Sequence, residues 1–354
     1  PSLKWETQIS TDIALEFGLF DCLTGTIEYF KKDSKDLLFD VSQPASVGVT
    51  SIIQNIGKVT NSGVEIELDY NAFKNKDWSV SVGANATFVK NKIKNLPATM
   101  KENGYISGSK KWLEGKSIYE FWLRQWHGVD PQTGDGLYVA DVSKYNQGNI
   151  GTGDGNITQS QFDEYKKTVV TIDGKELTNS YTYAKYDFSG SSIPDVYGGF
   201  NVRVSYKNFD LAAVFSYQLG GQILDTNYAT MMSMTEFGYA QSPDLLKAWK
   251  QAGDITEVPR IDNSAAHTTN IGQSYSTRWL TSSDYLNLRS VTIGYQFPKA
   301  WLSKVMLKSA RLNLTAENLF MLKARQGLNP MANYSGVTYN EYMPVSYTHL
   351  TLPT

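Results

Sequence analysis

Few residues in this chain are spaced to do chemistry. Gly115-Lys116-Ser117 has the ending of a phosphate-binding loop, in which backbone amides and a lysine cradle an anion. The upstream glycine such a loop needs falls on Lys110, and no hydrophobic strand leads in, so a phosphate site is not expected. Gly153-Asp154-Gly155-Asn156-Ile157-Thr158 echoes a calcium loop. Aligning Gly155 with the turn glycine puts Ile150 and Thr152 at the first and third ligand positions, and Gln161 where a bidentate Glu is required. A plain turn is therefore expected over a metal site, with Asp163 and Glu164 leaving a distorted site open. His127, His267 and His349 show no metal-type spacing, and no Gly-x-Ser-x-Gly nucleophile motif occurs. The chain reads as non-catalytic, with no cofactor and no metal. The more promising chemistry is stacking. Tyr105, Trp112, Tyr239, Tyr275 and Trp279 offer flat rings with a polar edge to sugars or peptides, or else pack their loops together.

The elements that position these rings are long alternating strands. Val64, Ile66, Leu68 and Tyr70 alternate with Glu65, Glu67 and Asp69. After a polar connection, Trp78, Val80, Val82, Ala84, Ala86 and Phe88 alternate with Ser79, Ser81, Gly83, Asn85 and Thr87. Successive strand residues point to opposite sides, so such a hairpin has one apolar face and one polar face. Roughly ten tilted residues cross a bilayer core, whereas soluble strands average about five or six. The same pattern recurs over residues 9–17, 23–29, 202–206, 209–217, 291–297 and 312–316. The apolar parity flips between Leu288 and Val291, which predicts a β-bulge there. An all-β, transmembrane antiparallel barrel portion follows.

Composition agrees. With 354 residues, a net charge of −2 and 19% charged residues, no basic field points to nucleic acid. A mean hydropathy of −0.35 looks soluble but does not exclude a barrel, since only alternate strand residues meet lipid and the loops are polar. Cys22 is the single cysteine and is read as a small packing residue. Short links near 18–22, 71–77, 207–208 and 298–309 are set against long ones near 32–55, 92–115, 142–194 and 218–280. Outer-membrane barrels have this asymmetry, with short periplasmic turns and long extracellular loops. Counting strand directions then requires an extra crossing at Gly136-Leu137-Tyr138-Val139-Ala140, after a turn at 130–135. One short helix is expected in the last long loop, capped by Ser242, with Pro243 in its first turn and Leu245, Leu246 and Trp249 on one face.

Several stretches, taken in order, resemble the C-terminal barrel of the SusC/RagA-like TonB-linked outer-membrane proteins. They are Leu3-Lys4-Trp5-Glu6, then 55–65 (Asn55 to Glu65), 128–135, 153–158, Pro194 with 197–200, Phe209-Asp210-Leu211, 278–280, 285–295 and Ala316-Glu317-Asn318-Leu319-Phe320. The resemblance implies a barrel of about 22 strands. It further implies TonB-energised import of a bulky nutrient, a glycan oligosaccharide or a peptide, across the Gram-negative outer membrane. The implied partners are the lipid bilayer, a SusD-like surface lipoprotein, and TonB-ExbB-ExbD acting through a plug that this chain lacks. Residues 1–345 are expected to be the C-terminal part of the barrel. The chain opens at Pro1 without an initiator Met, so an internal piece of a longer precursor is expected. Residues 346–354 are expected to be a non-native tail, following a Tyr342-Met343-Pro344-Val345 approach to a closing strand. The alternatives are a secreted soluble β-rich carbohydrate-binding or adhesion module and a passive porin.

Overall fold

The computed structural model describes residues 3–338, except 43–47, 49–50, 56, 154, 234–240, 263, 265–266, 268–269, 273–274, 304–306 and 332–335. The Tyr342–Val345 approach and the 346–354 tail lie outside the described residues. The chain divides into two compact units: residues 1–120, 190–222 and 282–330, and residues 121–189, 223–281 and 331–354.

The first unit is built on eight long strands: β1 (Thr7–Leu19), β2 (Leu23–Lys35), β3 (Lys58–Lys74), β4 (Trp78–Asn95), β5 (Val196–Tyr206), β6 (Phe209–Leu219), β7 (Tyr285–Gln296) and β8 (Arg311–Lys323). They form one antiparallel sheet in which every neighbour in space is the next long strand in sequence. Short and long connections alternate strictly along it. Residues 20–22, 75–77, 207–208 and 297–310 close one end; residues 36–57, 96–195 and 220–284 lie at the other. The tight turns use left-handed backbone, with φ of 55° and 53° at Phe20 and Asp21 and 51° at Lys207. Cys22 sits half-buried in the first of these turns, its amide donating to Leu19 O at 3.2 Å, rather than filling a core.

The expected extra crossing is not there. β4 pairs directly with β5, so residues 96–195 are one connection and the strand count needs no addition. Gly136–Val139 is a four-residue strand of a small separate sheet, with Gly136, Leu137 and Tyr138 all buried. A strand covered on both sides and that short cannot cross a bilayer core of about 30 Å.

The bulge falls where the parity predicted it. Val214 faces Ser290 and Phe215 faces Leu288, leaving Arg289 unpaired between them. The register of β7 against β8 slips at the same place. Without that extra residue, every apolar side chain beyond it would turn to the other face. Gly63, inside the 55–65 stretch, has a packing reason. It lies opposite Phe30 in the ladder, and a Cβ there would strike the Phe88 carbonyl and the Phe30 ring. Asn55 ties the same stretch down: its amide donates to Lys4 O at 2.7 Å and Asp36 O at 2.8 Å, and its carbonyl accepts from Lys4 N.

The connections hold more helix than the single short one expected. Among the described residues, the second unit contains α1 (Gln159–Thr168) and α2 (Thr226–Met231), besides 3₁₀ turns that include one at Pro243–Lys247. Ser242 caps that turn as expected, but Leu245 is buried while Leu246 is exposed, because a 3₁₀ turn does not align them.

Candidate functional site

Following the register across the sheet exposes its first functional property. On one face, Leu15, Ile27, Ile66, Ala86, Gly198, Tyr217, Leu286 and Leu322 stand in one cross-strand row. The rows on either side are also apolar, and much of this face is open to the surroundings, with Ile13, Leu15 and Leu314 each exposed by more than 60%. Aromatic pairs mark the end with the short turns: Trp78 against Tyr206 at 4.4 Å and Phe209 against Tyr295 at 4.5 Å. A soluble fold does not leave so continuous an apolar surface open. The opposite face is polar and, over β1 to β3, acidic. Glu28 faces Glu65 in register, Thr26 stands between Glu16 and Glu67, and Thr24 faces Asp69. Among the described residues these carboxylates form no ion pair.

The motifs that suggested ligand chemistry turn out to be local scaffolding. Gly115 and Lys116 pair by backbone hydrogen bonds with Ile93, and Ser117 Oγ donates to Asn91 Oδ1 at 3.0 Å. Gln161, aligned with the calcium-loop glutamate, instead completes a capping box on α1. Its amide N–H donates its hydrogen bond to Thr158 Oγ1, and its side-chain oxygen accepts from Thr158 N at 2.8 Å. Asp163 accepts from Gln159 and Glu164 accepts from the Tyr183 hydroxyl. Asp154 lies outside the described residues.

The five stacking candidates separate. Tyr105 and Trp112 are half-buried against each other, ring centroids 5.3 Å apart, over a small core of Val59, Ile93, Leu96 and Met100. Trp112 Nε1 donates to Ile118 O at 3.1 Å. Tyr275 packs half-buried on the core of the second unit. Trp279 lies inside that core, 4% exposed, edge-on to Tyr228 and beneath the Arg278 guanidinium at 4.3 Å. It is a packing residue, not an open platform. Tyr239 lies outside the described residues. Arg278 is sandwiched between Trp279 and Trp126, and burial pulls it down to about 10, which keeps it charged at neutral pH. Burial also pulls Lys110 down to about 7, with Glu120 opposing; its ammonium donates to Tyr119 O and Ser192 Oγ, both at 2.9 Å.

Two arrangements in the second unit were not legible in advance. The 130–135 turn closes through Asp130 N to Asp135 O and Gly134 N to Asp130 O, both at 2.8 Å. The Asp135 carboxylate beyond it faces Arg260 at 3.2 Å and His267 at 3.6 Å. The His267 side chain, with Asn179 and Arg260, holds that carboxyl below its ordinary range against the opposing effect of burial. The same turn seats Trp249. The indole N–H donates to Pro131 O at 3.0 Å, and a Cβ on Gly134 would lie 2.5 Å from two atoms of the ring. Gly134 also has φ of 74°, so both its backbone and the ring against it require glycine. Trp249 also lines a groove of about 780 Å³.

An eight-stranded ribbon with one apolar face, one polar face and connections that alternate strictly between short and long defines a membrane β-barrel wall. The comparisons identify which one. The family model described as TonB dependent receptor-like, beta-barrel, matches residues 1–319, and the chain belongs to that family. It is 29% identical over 341 residues to TonB-dependent receptor P3 of Formosa agariphila, covering 94% of this chain and 31% of that protein. It is 24% identical to TonB-dependent receptor SusC of Bacteroides thetaiotaomicron, covering 96% and 31%. Among solved structures, the RagAB peptide importer in its closed-closed state superposes with a TM-score of 0.73 at 25% identity, covering 95% of this chain and 34% of that one. The chain thus spans about a third of the length of the relatives it matches. The fold is a partial barrel of this class, and the family is one of outer-membrane transporters and receptors rather than enzymes.

Proposed function

We propose that this chain is part of the wall of an outer-membrane active transporter that imports a bulky nutrient, a glycan oligosaccharide or a peptide, with energy supplied through TonB-ExbB-ExbD. The observation that carries the reading is the apolar face kept in register over eight strands, including the bulge at Arg289 that restores it. Strands of 11 to 18 residues are long enough to cross a bilayer at a tilt, for which roughly ten suffice. The polar face then lines the lumen, and the long connections stand outside the cell. A SusD/RagB-like surface lipoprotein is the partner this reading implies. Tyr105, Trp112 and Tyr275 keep part of their ring surface for a ligand and remain its candidates among the aromatic set.

The test is fractionation of the full-length protein that carries this chain, followed by uptake. The protein should stay with outer membranes through high-salt extraction, and uptake of its nutrient should stop when TonB is removed. Recovery in the soluble fraction after osmotic shock would favour a secreted β-rich module. Membrane retention with TonB-independent uptake would favour a passive porin.

A further inference from the structure

The groove that Trp249 lines belongs to no motif that the import reading uses, and its chemistry is specific. Its lining includes the Trp249 indole with Pro243 and Leu245, and two large aliphatic side chains that are largely exposed: Leu246 at 79% and Ile261 at 65%. The ring is held in place, since its N–H is tied to Pro131 O and Gly134 packs closely against it. A fixed aromatic ring in such a lining suits either a sugar ring or an apolar side chain. The polar lining decides between them.

A sugar needs several hydrogen bonds around its edge, and most of the groove's polar groups are already engaged. The Arg260 guanidinium is held by Asp135 and Asp262, both at 3.2 Å, and donates to Thr133 O. Asp262 also accepts from Ser264 N at 2.8 Å. Ser242 Oγ accepts from Asp244 N as the cap of the 3₁₀ turn. The Gln241 amide donates to Ser233 O at 2.9 Å. Lys250 is left as the cation of the groove that forms no ion pair among the described residues. A polar ligand edge placed here would lose water without gaining partners, which costs free energy, whereas an apolar side chain loses nothing.

We infer that this groove is a peptide subsite, taking an apolar side chain on Trp249 between Leu246 and Ile261, with a neighbouring carboxylate of the peptide against Lys250. The inference rests on the import reading for its role, and names peptide rather than glycan as the cargo class. No covalent step is involved.

The experiment uses the full-length protein in detergent and three probes. These are a fluorescein-labelled heptapeptide with a central Leu and a free C-terminal carboxylate, its Leu-to-Ser counterpart, and a labelled maltoheptaose, all read by fluorescence anisotropy. The Leu peptide should bind about tenfold or more tighter than the Ser peptide, the scale expected for one buried aliphatic side chain. Leu246→Asp, at an exposed position, should remove that preference while leaving the fold intact, and Trp249→Ala should do the same. Lys250→Gln should weaken the free-acid peptide but not its C-terminal amide. Equal binding of Leu and Ser peptides, or Leu-peptide binding untouched by Leu246→Asp, overturns the inference. Maltoheptaose binding that Leu246→Asp abolishes overturns it in favour of a glycan. Loss of a co-purifying lipoprotein in Leu246→Asp, with no peptide bound by the parent, overturns it in favour of a protein contact. None of these outcomes touches the import reading, which fails if the protein leaves the outer-membrane fraction or if uptake continues without TonB.

Discussion

The eight long strands and the second unit bury their side chains by opposite rules. In the sheet, parity alone sets a residue's surroundings. Val82 lies on the apolar face and its neighbours Ser81 and Gly83 on the polar one, and the same holds through each strand in register with it. In the second unit parity means nothing. Gly136, Leu137 and Tyr138 are consecutive and all buried, and a tryptophan at 249 is seated by a glycine at 134. The sheet is specified by a local period that repeats. The second unit is specified by individual contacts between segments far apart in sequence. A change in the sheet should therefore act according to its face, and a change in the second unit according to what it touches.

The sharpest way to break that contrast is to place one charge on each face of β4. In the full-length protein, Val82→Lys should cost about 2–4 kcal/mol near the bilayer midplane and suppress barrel assembly. Thr87→Lys, on the polar face opposite Glu65, should assemble normally. Heat-modifiable mobility on gels and unfolding from lipid vesicles would read both; equal tolerance would remove lipid from the apolar face. Next, Gly134→Val should cost roughly 2–3 kcal/mol from left-handed strain and overpacking against Trp249. It should open the second unit to limited proteolysis while the barrel still assembles, and loss of both together would show that the two regions are not independent. A smaller effect is expected from acid. The Asp135 carboxyl is held below its ordinary value, so its contribution is fully present above the unfolded pKa of about 3.9. It is lost as pH falls through the lower folded pKa. Hydrogen exchange in 130–135 should rise in that window, and Asp135→Asn should remove the pH step. The smallest effect is Thr158→Ala, which deletes one half of the capping box on α1 at a cost of about 1 kcal/mol. Faster exchange should be confined to the first turn of α1.

The contrast also explains what could be read from the residues alone. The strands, their turns at 20–22 and 207–208 and the bulge at Arg289 were all legible, because alternation and a single parity flip are local signals. The false crossing at Gly136–Val139 arose because an apolar run looks alike in a spanning strand and in a buried loop strand, and only its pairing tells them apart. The site was harder to read. Trp279 has the residue type of an exposed platform and lies buried, while Trp249 was read only as one face of a helix. Nothing near Trp249 in sequence announces that the 130–135 turn, more than a hundred residues away, holds its ring. The turn itself stood out as a motif, but its purpose is tertiary.

The polar side of β1 to β3 carries a cost of its own. Glu28 stands directly opposite Glu65 and like charges crowd the neighbouring rungs, so this part of the ribbon repels itself. Dissolved salt screens such repulsion, the Debye length shrinking from about 30 Å at 0.01 M to about 10 Å at 0.1 M, so that fewer of the neighbouring charges are felt. A structure held by surface ion pairs loosens as salt rises; these three strands should draw tighter, and would be at their weakest in distilled water.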